Sequence, residues 1–176
     1  TVAPIDLHHL DERIIGCYVL ETQDGLALFD CGPTTCIPHL KAGLAERGLD
    51  LTDIRHLLLS HIHLDHAGAA GVLVRQHPWL QVHVSEVGAP HLVDPSKLDA
   101  SARRLYGDSF DDLWGELAPI PAENVHAVGD CASWGPRPLP KAGVISVRQG
   151  PVLAHNLRAA LTGTDASRYV PQQRHL

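Results

Sequence analysis

The sequence predicts an α/β fold, a mixed sheet covered by helices, on three observations. Short apolar runs of strand length alternate with segments of helical period from Ile14 to Tyr106. One buried-type run, ending Leu57–Leu59, leads straight into a cluster of histidines and an aspartate at residues 60–66. The composition is that of a chain with a core, with 44% apolar and 19% charged residues over 176 positions.

The elements follow in order. Ile14–Glu21 is rich in β-branched and aromatic residues, Gln23-Asp24-Gly25 is a turn signal, and Leu26–Phe29 is a second apolar run, so residues 14–29 predict a hairpin ended by Asp30–Pro33. Ile37, Leu40, Leu44 and Ala45 recur at helical period over Ile37–Arg47, and Gly48 stops that helix. Asp53–Leu59 reads as a buried strand. Ala67–Gln76 reads as a helix that ends before Pro78. Leu80–Val84 alternates like a strand, and Ser85 is placed to cap a short helix over Glu86–Leu92. Pro95–Tyr106 predicts a helix with Leu98, Ala102 and Leu105 on its inner face. Ala118–Ala122, with two prolines, reads as a linker. Beyond it, Ala142–Val147 suggests a strand and Pro151–Leu161 a helix, and the last dozen residues are expected to be loose.

Charge narrows the function. A net charge of −6 disfavours nucleic acid and membrane surfaces, both anionic, and leaves a small-molecule substrate as the expected partner. No apolar run approaches the roughly 20 residues that span a bilayer. Thr1–Leu10 has no basic segment followed by an apolar one, so no signal peptide is expected, and the absence of Met is what a processed or excised piece would show. Cys17, Cys31, Cys36 and Cys131 form no Cys-x-x-Cys pair; buried free thiols and a cytoplasmic location are the expectation.

The chemistry concentrates in His61, His63, Asp65 and His66, three imidazoles and a carboxylate within six residues at the end of a strand. That donor set suits Zn²⁺, and also Fe or Mn. His61 and His63 are two apart and point the same way in extended backbone. Asp65 and His66 turn into a helix start and can face a second ion. A metal pair lowers the pKa of a bound water towards about 7, giving a hydroxide nucleophile that Asp65 would hold and orient, which makes Asp65 the expected catalytic residue. Gly68 lets backbone crowd the site.

Ser60-His-Ile-His-Leu-Asp-His-Ala-Gly68 resembles the signature of the metallo-β-lactamase superfamily, and the hairpin ending in Asp30-Cys-Gly32 fits with it. The resemblance covers about residues 1–127. It implies the αβ/βα sandwich of that family, here only its N-terminal half, and a zinc-dependent hydrolase that cleaves an ester, thioester, lactone or amide, with two zinc ions where the site is complete. It also implies that His61 and His63 bind one metal, that Asp65 and His66 bind a second, and that Asp30 steadies the loop. Family members use further downstream ligands; Gly129-Asp130 is the nearest match to their bridging aspartate and nominates Asp130. The late histidines His126 and His155 stand outside any matching context and are expected to be ordinary surface or core residues. Residues 123–165, with Gly129-Asp130-Cys131 and Lys141-Ala-Gly143, resemble instead the carboxyl part of an FAD-dependent pyridine-nucleotide oxidoreductase, although no Gly-x-Gly-x-x-Gly fingerprint occurs. The expected organisation is a metal-binding domain over residues 1–127 and a flavoprotein-like tail over 128–176, with a remnant that binds metal without turnover, or a flavin oxidoreductase fragment, as the alternative functions.

Overall fold

A computed structural model describes residues 3–22 and 24–128, together with His155, Asp165 and Ser167. The chain divides into two compact units, Thr1–Gly129 and Asp130–Leu176; the sheet and helices below belong to the first. Asp130, Cys131 and the Lys141–Gly143 segment lie outside the described residues.

Six strands form one sheet in sequence order: β1 (Ile5–Asp6), β2 (Gly16–Thr22), β3 (Gly25–Phe29), β4 (Ile54–Leu58), β5 (Gln81–Ser85) and β6 (Val125–Val128). The first three pair antiparallel, and β3 through β6 pair parallel. Parallel neighbours need crossovers, and the helices supply them. Helix α1 (Ile37–Ala45) joins β3 to β4; α2 (Leu64–Ala67) and α3 (Ala70–Gln76) join β4 to β5; α4 (Ala89–Val93), α5 (Ser96–Tyr106) and α6 (Phe110–Leu113) lie between β5 and β6.

The hairpin forms where the turn residues predict it. Thr22 pairs with Gly25, whose φ of +122° is open to glycine, and Thr22 Oγ1 donates to the Gly25 carbonyl at 2.7 Å. Leu28, Leu57, Val82 and Val84 are buried on the sheet, and Leu40, Leu44 and Leu73 are buried on the helices, in one continuous core. Each such side chain contributes roughly 1.5–3 kcal/mol by leaving water. Cys17, Cys31 and Cys36 are free and buried, as expected.

Several expectations are corrected. The helix predicted over Ala67–Gln76 is two pieces: Ala67 closes α2, and α3 begins at Ala70 after Gly68 and Ala69, which keep helical backbone angles. The helix after Ser85 starts at Ala89; the Ser85 hydroxyl accepts from Gly88 N at 3.3 Å and closes a turn. Leu105, expected inside, is 75% exposed, and Leu98, Ala102 and Tyr106 pack inward in its place. Residues 118–122 are no linker. Ala118 and Ile120 are buried, Ile120 N donates to the Leu92 carbonyl at 2.9 Å, and the Ala118 backbone seats against Gly71 where any side chain would collide. Pro121 leads into a short turn at Ala122–Asn124. Strands β1 and β6 and helix α6 are additions too short for pattern reading.

Candidate metal centre

The site sits where strand β4 ends, beside the turn that follows β3. Both strand ends lie at the same edge of the sheet because Phe29 pairs in register with Leu58. The two loops are then tied by their backbones. Cys31 N and Gly32 N donate to the His66 carbonyl at 2.8 and 3.2 Å, and Ala69 N donates to the Gly32 carbonyl at 2.8 Å.

Asp30 is the centre of this junction. It is 5% exposed and holds φ at +56°, a conformation Asp tolerates better than most residues but at a cost of about 1–2 kcal/mol. Its carboxylate recovers that cost. Oδ1 accepts from Ser60 N at 2.8 Å, and Oδ2 accepts from Ser60 Oγ at 2.9 Å and from His66 Nδ1 at 2.8 Å. The steadying role expected of Asp30 is thus matched by three hydrogen bonds that join its turn to both ends of the cluster.

These bonds fix how the imidazoles face. His66 Nδ1–H donates to Asp30, which leaves its Nε2 facing the Asp65 carboxylate. The Ser60 hydroxyl, spent as a donor on Asp30, accepts from His61 Nδ1 at 3.0 Å, so His61 too offers Nε2. Burial, then repulsion from the His66 and His63 rings, lowers the pKa of His61 and favours its neutral form.

The donor atoms meet in two pairs. His61 Nε2 lies 3.0 Å from His63 Nδ1, and His66 Nε2 lies 3.2 Å from Asp65 Oδ2. The pairs adjoin, with the His61 and His66 ring centroids 4.1 Å apart. Two nitrogens on one tetrahedral zinc stand about 3.3 Å apart, from the usual Zn–N length of ~2.0–2.1 Å, so the spacing of each pair is that of neighbouring ligands on a common ion. Among the described residues no group of three or more His, Cys, Asp or Glu side chains converges on one metal position. Each pair is equally within hydrogen-bond distance. Asp130 lies outside the described residues. His126 is exposed on β6 and hydrogen-bonded to Gln81, and His155 is exposed beside the Asp165 carbonyl, so both are surface histidines.

Backbone closeness was rightly expected at Gly68, where a Cβ would stand 2.5 Å from the Leu64 carbonyl oxygen and 3.1 Å from Pro33 Cα. Sequence reasoning missed two neighbours. His9 is buried, its ring stacked on Trp114 at 5.0 Å, and burial lowers its pKa. Trp114 in turn walls a cleft of about 350 Å³ that opens beside His63 and Asp65. Neither His9 nor Trp114 stands in a periodic pattern, so nothing in the sequence marked them.

A family model described as "Metallo-beta-lactamase superfamily" matches residues 10–151. The metallo-beta-lactamase SMB-1, solved with 2-mercaptoethanesulfonate, superposes with a TM-score of 0.52 at 20% identity over 73% of this chain and 44% of its own. The native FEZ-1 metallo-beta-lactamase from Legionella gormanii gives 0.51 at 18% identity over 70% and 42%. At these identities both show the fold. The chain spans less than half the length of either structure.

Proposed function

From the premise that the chain belongs to the metallo-beta-lactamase superfamily, we propose that it is a zinc-dependent hydrolase of a small-molecule ester, thioester, lactone or amide. His61 and His63 would hold one ion, and Asp65 and His66 would hold the other. The observation that carries this reading is the pairing of donor atoms, His61 Nε2 with His63 Nδ1 and Asp65 Oδ2 with His66 Nε2. When bound, zinc supplies Lewis acidity and brings the pKa of a coordinated water towards about 7. The chain's own residues do the rest. Asp30 and Ser60 hold the His61 and His66 rings with Nε2 outward, and Asp65, at the mouth of the cleft, orients the attacking water towards a bound carbonyl. Three imidazoles and one carboxylate suit zinc, and also Fe or Mn. A cytoplasmic setting fits the three buried free thiols.

The test is hydrolysis of a panel of esters, thioesters, lactones and amides by the zinc-loaded chain. Turnover that stops with a chelator, returns with zinc and is absent from Asp65→Ala supports the reading. A second reading, metal binding without turnover, is favoured by the absence of a three-ligand group among the described residues. Zinc uptake with no hydrolysis of any substrate class would establish it.

A further inference from the structure

We infer that His56 and His83 form a cation site separate from the loop centre, holding a Cu²⁺ ion between His56 Nδ1 and His83 Nε2. The inference stands apart from the hydrolase reading and uses none of its residues. It begins with the alternation of the central strands. Leu57, Val82 and Val84 are buried in the core shared with the helices, so His56 in mid-β4, His83 in mid-β5 and His126 in β6 stand on the opposite face. His83 pairs in register with His126, and its partner on β4, Leu58, is two residues from His56. Three imidazoles therefore lie side by side across three parallel strands.

The geometry is that of ligands. His56 Nδ1 lies 3.1 Å from His83 Nε2. Neighbouring nitrogens about 2.0 Å from one ion stand roughly 2.8 Å apart in square-planar and roughly 3.3 Å apart in tetrahedral coordination, and the observed spacing falls between the two. An ion pair does not explain the cluster. The charges that act on His83 are those of His126 and His56, and among the described residues no hydrogen bond or ion pair joins any of the three to an Asp or Glu. As cations at neighbouring cross-strand positions they would repel. Burial, then repulsion from His126 and His56, holds the pKa of His83 below its ordinary value and leaves it neutral, with a lone pair to give. Both rings are half-buried, so an ion can reach them from solvent.

Binding needs a change of tautomer and no new side-chain position. The proton now shared between His56 Nδ1 and His83 Nε2 moves to the far nitrogen of the ring that carries it, and both facing lone pairs are then free for the metal. His126 is a positioning residue. Its Nε2–H donates to Gln81 Oε1 at 2.5 Å, and its ring stacks on that of His83 at 5.1 Å and 24°, fixing the plane of the ligand. Gln81 is itself oriented by donating its amide N–H to the Trp79 carbonyl at 3.1 Å. Water fills the remaining positions on the ion. Imidazole nitrogen suits Cu²⁺, which heads the order of affinity among divalent first-row metals, so Cu²⁺ is held most tightly and Zn²⁺ less so.

The test is a titration of the full chain with Cu²⁺, followed by NMR of the imidazole C–H resonances, which the paramagnetic ion broadens in the rings that bind it. His56 and His83 should broaden together at substoichiometric Cu²⁺. In His83→Gln, shown to be folded by circular dichroism, the Cu²⁺ needed to broaden His56 should rise at least about tenfold, the lower end of the cost of losing even a ligand's supporting group. His56→Asn should do the same to His83. His61 and His63 serve as the internal reference, because neither variant touches their loop and their broadening should not change. His126→Ala should shift the His56 titration by less than His83→Gln does. Resonances of His56 and His83 that stay sharp in the unaltered chain, or a His56 resonance that broadens equally in His83→Gln, would overturn the site. A shift in His126→Ala as large as in His83→Gln would overturn the assignment of two ligands.

Discussion

The ends and the middle of the Ser60–His66 loop differ in how they are held. At both ends, Ser60 and His66 are locked onto a buried carboxylate, and the His66 carbonyl takes two backbone N–H groups from the Cys31–Gly32 turn. In the middle, His63 is exposed, its hydrogen-bonding neighbour is His61, and the two rings meet edge to face. His66 is held by Asp30, while the His61–His63 pair lies in the bend after β4 with one bond, between His61 and Ser60. The difference teaches that the two donor pairs are pre-organised to different degrees, and that one residue, Asp30, ties both to the fold through Ser60 and His66.

The largest effect belongs to Asp30→Ala. It strands three donors and puts alanine at a positive φ, and should cost about 3 kcal/mol in urea unfolding while weakening zinc binding at both positions. A loss under 1 kcal/mol would show that the junction is not held by this carboxylate. Gly32→Ala should cost about 2 kcal/mol by the same measurement, since φ is +66° there and a Cβ would meet Leu7 Cδ1. It strains the clamp without removing a donor, so metal affinity should fall less than in Asp30→Ala.

A pH series on the metal-free chain sharpens the comparison. Burial lowers the pKa of His9, His61, His77 and His83 below 6.5, and both His77 ring nitrogens are buried without a partner. The unfolded chain then binds protons before the folded one. The stability these groups contribute is fully present above about 6.5 and is lost as pH falls through their folded values. The urea midpoint should be lower at pH 5.5 than at 7.5, and an unchanged midpoint would mean that these rings are solvated. The smallest effect is expected of His61→Ala/His63→Ala, which should change stability by no more than about 1 kcal/mol because His63 is exposed and His61 only half-buried, yet should lower zinc uptake.

Much of this was legible in the sequence. The hairpin, α1, β4 and the turn of Asp65 and His66 into a helix followed from period, turn residues and glycine. The pairing of His61 with His63 followed from a two-residue spacing in extended backbone. Asp30 was nominated by resemblance, but its positive φ and its three bonds come from the parallel register of Phe29 with Leu58, which brings two distant loops to one edge and which no local pattern encodes. Leu105 was misplaced because an apolar residue at helical period reads as core, whereas α5 leaves it at the rim of an open cleft. The 118–122 segment was misread because prolines signal breaks without saying whether the broken chain is buried.

The most direct test of the central claim is zinc content by elemental analysis of the purified full chain beside two double variants, His61→Ala/His63→Ala and Asp65→Ala/His66→Ala. Two donor pairs predict close to two ions per chain, falling to about one in each variant. Fewer than one ion in the unaltered chain, or loading that either double variant leaves untouched, would contradict the claim that these four side chains build the metal centre.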